Sequence, residues 1–428
     1  MQSRKSGRRR FLEDSAALAG IALGATSLAD GQTGSSSDPT LARLKAVHAY
    51  GQRSHFVDAI RIGNNGLDKP PAGVPRDLGM RSPLQDVVGI ITPASLHYMI
   101  NHNYEPPDID PQKHRLMIHG MVDRPMIYTV EDLKRLPSVT RVHFVECRAN
   151  GVPQRKVRTL PNATPQVTHG LSSCSVWTGV PLSLLLRSSG VKKGATWIVA
   201  EGADELLHSK SIPLDKAMDD CLVVYGQNGE PVRPEQGYPL RLLVPGYQGI
   251  NNVKWLRRIK VVDKPYMFKM ESDDYAEIRP DGKSRWFDSQ MGPNSVIIRP
   301  SGGQRLPGRG FYAIHGLAWS GGGSIKRVEV TTDGGKSWKD AEIQQPVHRK
   351  AYTAFTFDWD WNGEETLLKS RSTDETGDVQ PSVAEYAKIW SLPPGYLESG
   401  QGGFTGNFCV IQPWKVKRDG SVENALFS

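Results

Sequence analysis

A cysteine stands at the point where a predicted strand gives way to a loop. The apolar run that begins at Val142 predicts a buried strand ending at Cys147, and Asn150-Gly151-Val152-Pro153 breaks it at once. A thiol placed there can face a ligand, and Arg148 and Lys156 nearby favour the thiolate, the form that binds soft metals. The same pattern fits a small buried hydrophobic residue, so this stretch alone leaves both interpretations open.

The other three cysteines, Cys174, Cys221 and Cys409, follow no spacing that is typical of a metal site. In an oxidising compartment they could form disulfides, and the sequence leaves their pairing open. The chain contains no CxxCH motif, which excludes a covalently attached haem. Any haem would therefore belong to another chain.

The composition is that of a soluble globular protein. The chain has 428 residues, of which 38% are hydrophobic and 23% are charged, and its length favours two domains. The formal net charge of +8 suits small anions or an acidic partner. Because no Lys- and Arg-rich run is interleaved with aromatic residues, nucleic-acid binding is not expected.

Residues 1–29 are predicted to be a twin-arginine export signal. Arg8-Arg9-Arg10-Phe11-Leu12 precedes a short apolar run over residues 16–28. That run is too short and too diluted by Gly, Ser and Thr to favour a membrane anchor, and no later segment approaches 18 apolar residues. We therefore expect a periplasmic protein without a membrane span in its mature form. The twin-arginine route carries folded proteins, which indicates a cofactor inserted before export.

The rest of the chain is predicted to form an arm and two domains. Residues 30–85 are rich in Gly, Ser, Pro and Asp and form the arm. Residues 86–265 mix strands and helices without a regular doubly wound alternation, and no GxGxxG follows a strand, so a nicotinamide-binding fold is not expected. Residues 266–428 hold short strands with a hairpin turn at Asp333-Gly334-Gly335. The predicted class is α+β, a mixed α/β domain followed by an immunoglobulin-like β-sandwich.

Individual elements follow from the same patterns. Thr129 is the predicted N-cap of a helix that ends before Pro137, and residues 181–189 form a second predicted helix. The predicted strands cover residues 116–120, 196–200, 222–225, 240–245 and 257–262 in the first domain, and 295–298, 310–319, 325–332, 337–343, 352–358 and 365–371 in the second.

A series of short motifs, in order from about residue 86 to the end, resembles the sulfite oxidase family of molybdopterin enzymes. The motifs include Asn101-His102, Trp177-Thr178-Gly179-Val180-Pro181-Leu182, Glu201-Gly202-Ala203-Asp204, Gly237-Tyr238-Pro239-Leu240-Arg241, Asn252-Val253-Lys254-Trp255-Leu256, Asp274-Tyr275 and Ala318-Trp319-Ser320-Gly321-Gly322-Gly323. The resemblance implies a molybdopterin-binding catalytic domain over residues 86–265 and a dimerisation domain over residues 266–428.

The resemblance also assigns roles to individual residues. It implies a Mo-molybdopterin cofactor with Cys147 as the one protein ligand of the metal, which suits a soft thiolate. Tyr275 falls where the family keeps a tyrosine beside the reactive oxygen, and its phenol could donate a hydrogen bond or relay a proton. The residues that would bind the pterin and its phosphate are Tyr98, Asn101, His102, Asp204, Arg241, Asn252 and Lys254.

Four positions depart from the pattern of sulfite oxidases proper. Ile100, Val152 and Pro393 stand where those enzymes keep arginines that bind sulfite, and Gln236 stands where they keep a histidine. The loss of three guanidinium groups removes charge-assisted hydrogen bonds of about 1.5–3 kcal/mol each. Free sulfite is therefore expected to be a poor substrate.

The run Cys147-Arg148-Ala149-Asn150-Gly151 and residues 402–414 resemble the molybdopterin subunit of the Sox-type sulfane dehydrogenases. That resemblance implies oxidation of sulfane sulfur on a carrier-protein cysteine by oxygen-atom transfer, with water as the oxygen source. Electrons would pass to a c-type cytochrome subunit. The chain would form a homodimer through its C-terminal domain, or a heterotetramer.

Three other functions remain open. A direct sulfite dehydrogenase, which makes sulfate, would need Arg148, Arg155 or Arg158 in place of the missing arginines. A sulfoxide reductase of the same family would lack the sandwich domain. A cofactor-free periplasmic binding protein would contain no molybdenum, and in it Cys147 would be purely structural.

Overall fold

The computed structural model describes residues 53–54, 56–63, 79–101, 106–151, 160–278, 282–399 and 406–427. The predicted export signal, most of the predicted arm, His102 and Val152 lie outside these ranges. Within them, no helix has both the length and the apolar character needed to cross a bilayer.

The N-terminal half of the described chain contains three sheets and a hairpin. Its strands are β1 (Ile62–Gly63), β2 (Gly79–Arg81), β3 (Met99–Ile100), β4 (Leu116–Gly120), β5 (Met126–Tyr128), β6 (Val139–Glu146), β7 (Ser172–Pro181), β8 (Trp197–Gly202), β9 (Ser209–Pro213), β10 (Leu222–Gln227), β11 (Glu230–Pro231), β12 (Arg241–Leu243), β13 (Leu256–Val262), β14 (Glu277–Ile278) and β15 (Ser284–Arg285). The sheet orders are β1-β2-β3, β5-β4-β13-β8-β9 and β11-β10-β7-β6, with β12 also paired to β10. The β13 and β4 pair is parallel, and the other pairs are antiparallel.

Short helices pack on these sheets and follow their predicted signals. They are α1 (Val130–Arg135), α2 (Pro165–His169), α3 (Leu182–Ser189) and α4 (Leu214–Asp219), and α5 (Val383–Ile389) lies later in the chain. Thr129 caps α1, because its hydroxyl accepts from Asp132 N at 3.0 Å while the Asp132 carboxylate accepts from Thr129 N at 2.9 Å. The second helix, α3, begins one residue later than predicted, because Pro181 still belongs to β7.

The predicted β-sandwich is confirmed in the second half. Its strands are β16 (Asn294–Arg299), β17 (Gly310–Trp319), β18 (Ile325–Thr331), β19 (Lys339–Asp340), β20 (Glu342–Ile343), β21 (Thr353–Trp361), β22 (Thr366–Asp374), β23 (Trp414–Val416) and β24 (Val422–Asn424). They form sheets of order β16-β17-β21-β20 and β19-β18-β22-β23-β24. Large buried aromatic side chains, including Trp319, Tyr352 and Trp414, fill the core.

Strand β6 fixes the position of the cysteine. It pairs with β7 along its whole length, from Val139 opposite Gly179 to Glu146 opposite Ser172. The predicted strand therefore ends at Glu146, and Cys147 is the first residue of the loop that follows. This places the thiol at the edge of a buried sheet, where its direction is set by the strand before it.

Backbone contacts join the first domain to the sandwich beside this loop. Met291 N donates to Gly246 O at 2.9 Å, and Gly321 N donates to Met291 O at 2.9 Å. A Cβ added at Gly321 would lie 2.6 Å from Met291 O and would collide with Gly246 O. Only glycine fits where these two segments meet.

We expect Gly321→Ala to lower the free energy of unfolding by about 1–3 kcal/mol, because the added methyl forces these segments apart. The matched control is Gly308→Ala, where an added Cβ meets nothing within 4 Å. Thermal unfolding of both variants checks this. Equal melting temperatures would contradict the close contact.

Candidate active site

Most of the predicted site residues line a single cavity of about 460 Å³. They come from strand ends and loops that are far apart in the sequence: Tyr98, Asn101, Cys147, Asp204, Arg241, Asn252, Lys254 and Tyr275. The ninth predicted residue, His102, is outside the described residues. The structure thus brings the Cys147 thiol, the basic side chains of Arg241 and Lys254, and the phenols of Tyr98 and Tyr275 to one cavity.

Cys147 is the cysteine that lines this cavity. Its N–H donates to Leu171 O at 2.9 Å, and its carbonyl accepts from Asn150 N at 2.8 Å, so the turn after β6 is held at both ends. The other three cysteines are buried, and burial raises the pKa of the Cys174 and Cys409 thiols to about 12. All four lie in the described part of the chain, and none forms a disulfide.

Two basic side chains are buried at the cavity wall. Lys254 Nζ donates to Asn101 Oδ1 at 2.6 Å, Glu235 O at 2.8 Å and Ile100 O at 3.0 Å. Arg241 Nη1 donates to the backbone and side-chain oxygens of Gln236 at 3.1 and 3.0 Å. Burial lowers the pKa of Lys254 well below its usual range, and it lowers the pKa of Arg241 to about 10. In the described part of the chain, these hydrogen-bond partners are carbonyl and amide oxygens, not carboxylates.

The donor set fits an anionic cofactor. Buried cations that are not hydrogen-bonded to a carboxylate are costly, so Arg241 and Lys254 favour a bound anion such as a phosphate, although the Glu235 and Asp204 carboxylates offset part of the Lys254 charge. Arg241 Nε and Asn101 Nδ2 are also buried, with no acceptor among the residues that the structure describes. Among the described residues, no three His, Cys, Asp or Glu side chains are grouped to hold a metal ion. A metal beside Cys147 would therefore take most of its ligands from a non-protein group, as the implied molybdenum–pterin cofactor provides.

Three predicted ligand residues also shape the cavity. Asp204 Oδ1 accepts from His208 N at 2.9 Å, which closes the loop after β8. Asn252 Oδ1 accepts from Val244 N at 2.8 Å, and Asn252 Nδ2 donates to Gln248 O at 3.1 Å. The Asn252 amide thus forms these two hydrogen bonds with the backbone of the segment that precedes it. Burial raises the pKa of Tyr98 well above its usual range, so Tyr98 presents a neutral phenol.

The positions at which the sequence departs from sulfite oxidases proper do not all lie at the cavity. Ile100 and Gln236 line the cavity, whereas Pro393 does not. Gln236 Nε2 donates to Tyr98 O at 2.8 Å while Gln236 Oε1 accepts from Arg241, so this amide joins two cofactor-site residues. The cavity lining includes two exposed apolar residues, Leu206 at 55% and Leu207 at 44%.

Two cations pack on the ring of Tyr275. Arg148 Cζ lies 5.0 Å and Lys210 Nζ 5.1 Å from the ring centroid. Lys210 is buried and lies 3.9 Å from Glu271 Oε1, and burial lowers its pKa to about 8. Arg148 was a candidate from the sequence, whereas Lys210 was not. No sequence signal marks Lys210, because a lysine between two serines is typical of an exposed strand position.

The family comparisons cover both domains. Residues 102–269 match the model of the oxidoreductase molybdopterin binding domain, and residues 286–396 match that of the Mo-co oxidoreductase dimerisation domain. Among solved structures, the sulfane dehydrogenase SoxCD from Paracoccus pantotrophus is 36% identical, with a TM-score of 0.81, over 93% of this chain and 96% of that chain.

Curated relatives include plant and algal nitrate reductases that use NADH. The enzyme of Solanum lycopersicum is 32% identical over 345 residues, which are 71% of this chain and 37% of that protein. The enzyme of Volvox carteri is 31% identical over 381 residues, which are 76% of this chain and 43% of that protein. The chain thus spans well under half the length of these relatives.

We expect Lys254→Met to lower the molybdenum and pterin content at least tenfold, about 1.4 kcal/mol of binding, because the buried charge that favours the phosphate is removed. Metal analysis and pterin fluorescence of the purified protein measure this. The control is Lys113→Met, whose side chain is 87% exposed and lies outside the cavity. Equal content in both variants would contradict a phosphate site at Lys254.

Proposed function

The chain belongs to the sulfite oxidase family of molybdopterin oxidoreductases, and we propose that within it the chain oxidises sulfane sulfur carried on a cysteine of a carrier protein. The observation that carries this proposal is the similarity to a sulfane dehydrogenase along nearly the whole of both chains. The apolar Ile100 in the cavity lining agrees with a substrate that is not a free dianion.

The cofactor of this chain is Mo-molybdopterin. When bound, this group supplies transfer of an oxygen atom to sulfur and accepts two electrons for each atom transferred. Cys147 would hold the metal, and Arg241 and Lys254 would hold the pterin phosphate. Asn101, Asp204 and Tyr98 would complete the pterin site.

Tyr275 is the residue we assign to proton handling. It lines the same cavity as Cys147, and its phenol can donate a hydrogen bond to a developing oxyanion or pass a proton from water. Arg148 and Lys210 hold the ring from outside the cavity lining. A fixed phenol is a better donor than a mobile one, because its orientation is set before the reaction.

The partners follow from the same proposal. Sulfane sulfur on a protein requires a sulfur-carrier protein, and electrons would leave one at a time to a c-type cytochrome subunit. The second domain is a dimerisation domain of this family, which supports a homodimer or a heterotetramer. The export signal predicted over residues 1–29 supports assembly in the periplasm.

We expect the molybdenum-loaded chain with its haem partner to reduce cytochrome c with carrier-bound sulfane sulfur. The kcat/KM for free sulfite should be at least tenfold lower, because three arginines that bind sulfite in related enzymes are replaced. Stopped-flow absorbance of cytochrome c measures both substrates. A third assay offers nitrate and monitors the oxidation of a reduced dye. It tests the activity for which the nitrate reductases are named. Preference for sulfite or turnover of nitrate would overturn the proposal.

A second candidate function is direct oxidation of sulfite, and the pair of cations at Tyr275 favours it. Two positive charges near the ring raise the electrostatic potential beside the cavity, although neither lines it and the Glu271 carboxylate, 3.9 Å from Lys210, offsets part of this. If they replace the missing arginines, Lys210→Met should lower kcat/KM for sulfite about tenfold. Lys113→Met again serves as the control. An unchanged sulfite kcat/KM in Lys210→Met would remove the support for this alternative.

A further inference from the structure

Glu146 is a buried carboxylate that the proposed reaction does not use. It is the last residue of β6, directly before Cys147, and its side chain is fully buried. It does not line the cavity, so it cannot contact the substrate there. A buried carboxylate is costly unless donors hold it, and its donors therefore indicate what it does.

The Glu146 carboxylate joins the cysteine turn to the second domain. Glu146 Oε1 accepts from Asn150 Nδ2 at 2.8 Å, and Glu146 Oε2 accepts from Trp319 Nε1 at 2.7 Å. Asn150 Oδ1 in turn accepts from Leu171 N at 3.0 Å, and Asn150 N donates to Cys147 O at 2.8 Å. These bonds close a network around the turn that carries the thiol.

Trp319, the donor from the sandwich, is itself held in place. Its ring packs against Tyr352 with centroids 5.0 Å apart. The Tyr352 hydroxyl donates to Ser172 Oγ at 2.8 Å, and Ser172 is the residue paired with Glu146 across β6 and β7. The indole therefore cannot shift without disturbing the strand pair that ends at the cysteine.

A second set of contacts reaches the same place through the backbone. Glu146 forms a parallel bridge with Gln248. Gln248 N donates to Ser289 O at 2.7 Å, and Gln248 Nε2 donates to Asp288 O at 2.8 Å. The segment that leads into the sandwich is thus fastened beside the cysteine turn independently of Trp319.

We infer that Glu146 is a positioning residue for Cys147, and that the indole N–H of Trp319 in the second domain holds it in place. The dimerisation domain then has a further role, because it fixes the direction of the thiol that binds the metal. This inference rests on the proposal that Cys147 is the protein ligand of molybdenum.

The test compares two buried tryptophans of the same domain. Trp319→Phe removes the donor to Glu146, while Trp414→Phe removes a donor to Ile297 O, which lies 3.0 Å away inside the sandwich. Both side chains are fully buried, so both variants should lose similar thermal stability. The readout is the visible absorption of the thiolate–molybdenum bond, normalised to molybdenum content, together with kcat and KM.

We expect Trp319→Phe to shift the absorption band and lower kcat about tenfold with little change in KM. Trp414→Phe should leave the band unchanged. Glu146→Gln keeps the side-chain volume and the native tryptophan, and it should shift the band as Trp319→Phe does. It supplies the answer if Trp319→Phe fails to fold.

Cys147→Ser separates this inference from the ligand assignment on which it rests. If Cys147→Ser abolishes the band while Trp319→Phe and Glu146→Gln leave it unchanged, the positioning role is overturned and the ligand assignment stands. If Cys147→Ser leaves the band unchanged, the ligand assignment and this inference both fail. The substrate comparison with cytochrome c is scored separately, so a wrong substrate does not affect this result.

Discussion

Burying two cations whose hydrogen-bond acceptors, among the described residues, are carbonyl and amide oxygens is the constraint on which the first domain depends. Lys254 and Arg241 are held by carbonyl and amide oxygens, which orient the cations without neutralising them. Acceptors from the surrounding segments and an anionic ligand would each lower the cost of this arrangement. The loops around Asn101 and Gln236 follow that requirement, since each contributes oxygens to one of the cations. The two cations thus make the cavity suited to an anionic ligand.

Glu146, far from these two cations in the sequence, presents the reverse situation. Here a buried anion is held by neutral donors, and burial raises its pKa to about 7. The two cations suit an anionic ligand, whereas the Glu146 carboxylate accepts hydrogen bonds from Asn150 and from Trp319 of the second domain. The two arrangements meet at Cys147, which lines the cavity and directly follows Glu146. Cofactor binding and domain packing therefore act on the same turn.

The sequence predicted the local features well, and it missed features that depend on distant contacts. The Thr129 cap and the sandwich strands follow from neighbouring residues, so periodicity and capping rules find them. The family motifs placed eight residues at one cavity because a family shares its spacing. Lys210 was missed because burial of a lysine depends on what packs over it. The Glu146 to Trp319 bond was missed because no local pattern links residues 173 positions apart.

The separation of Glu146 and Trp319 in the sequence limits how early the bond between them can form during biosynthesis. A ribosome adds about 5–20 residues per second, so the 173 residues between Glu146 and Trp319 take roughly 10–30 s to synthesise. Throughout that interval the nascent first domain holds a carboxylate that lacks its indole partner. The parallel pairing of β4 with β13 likewise waits for a late strand. If Trp319 and Glu146 together position Cys147, the cysteine turn reaches its final arrangement only after the sandwich has folded.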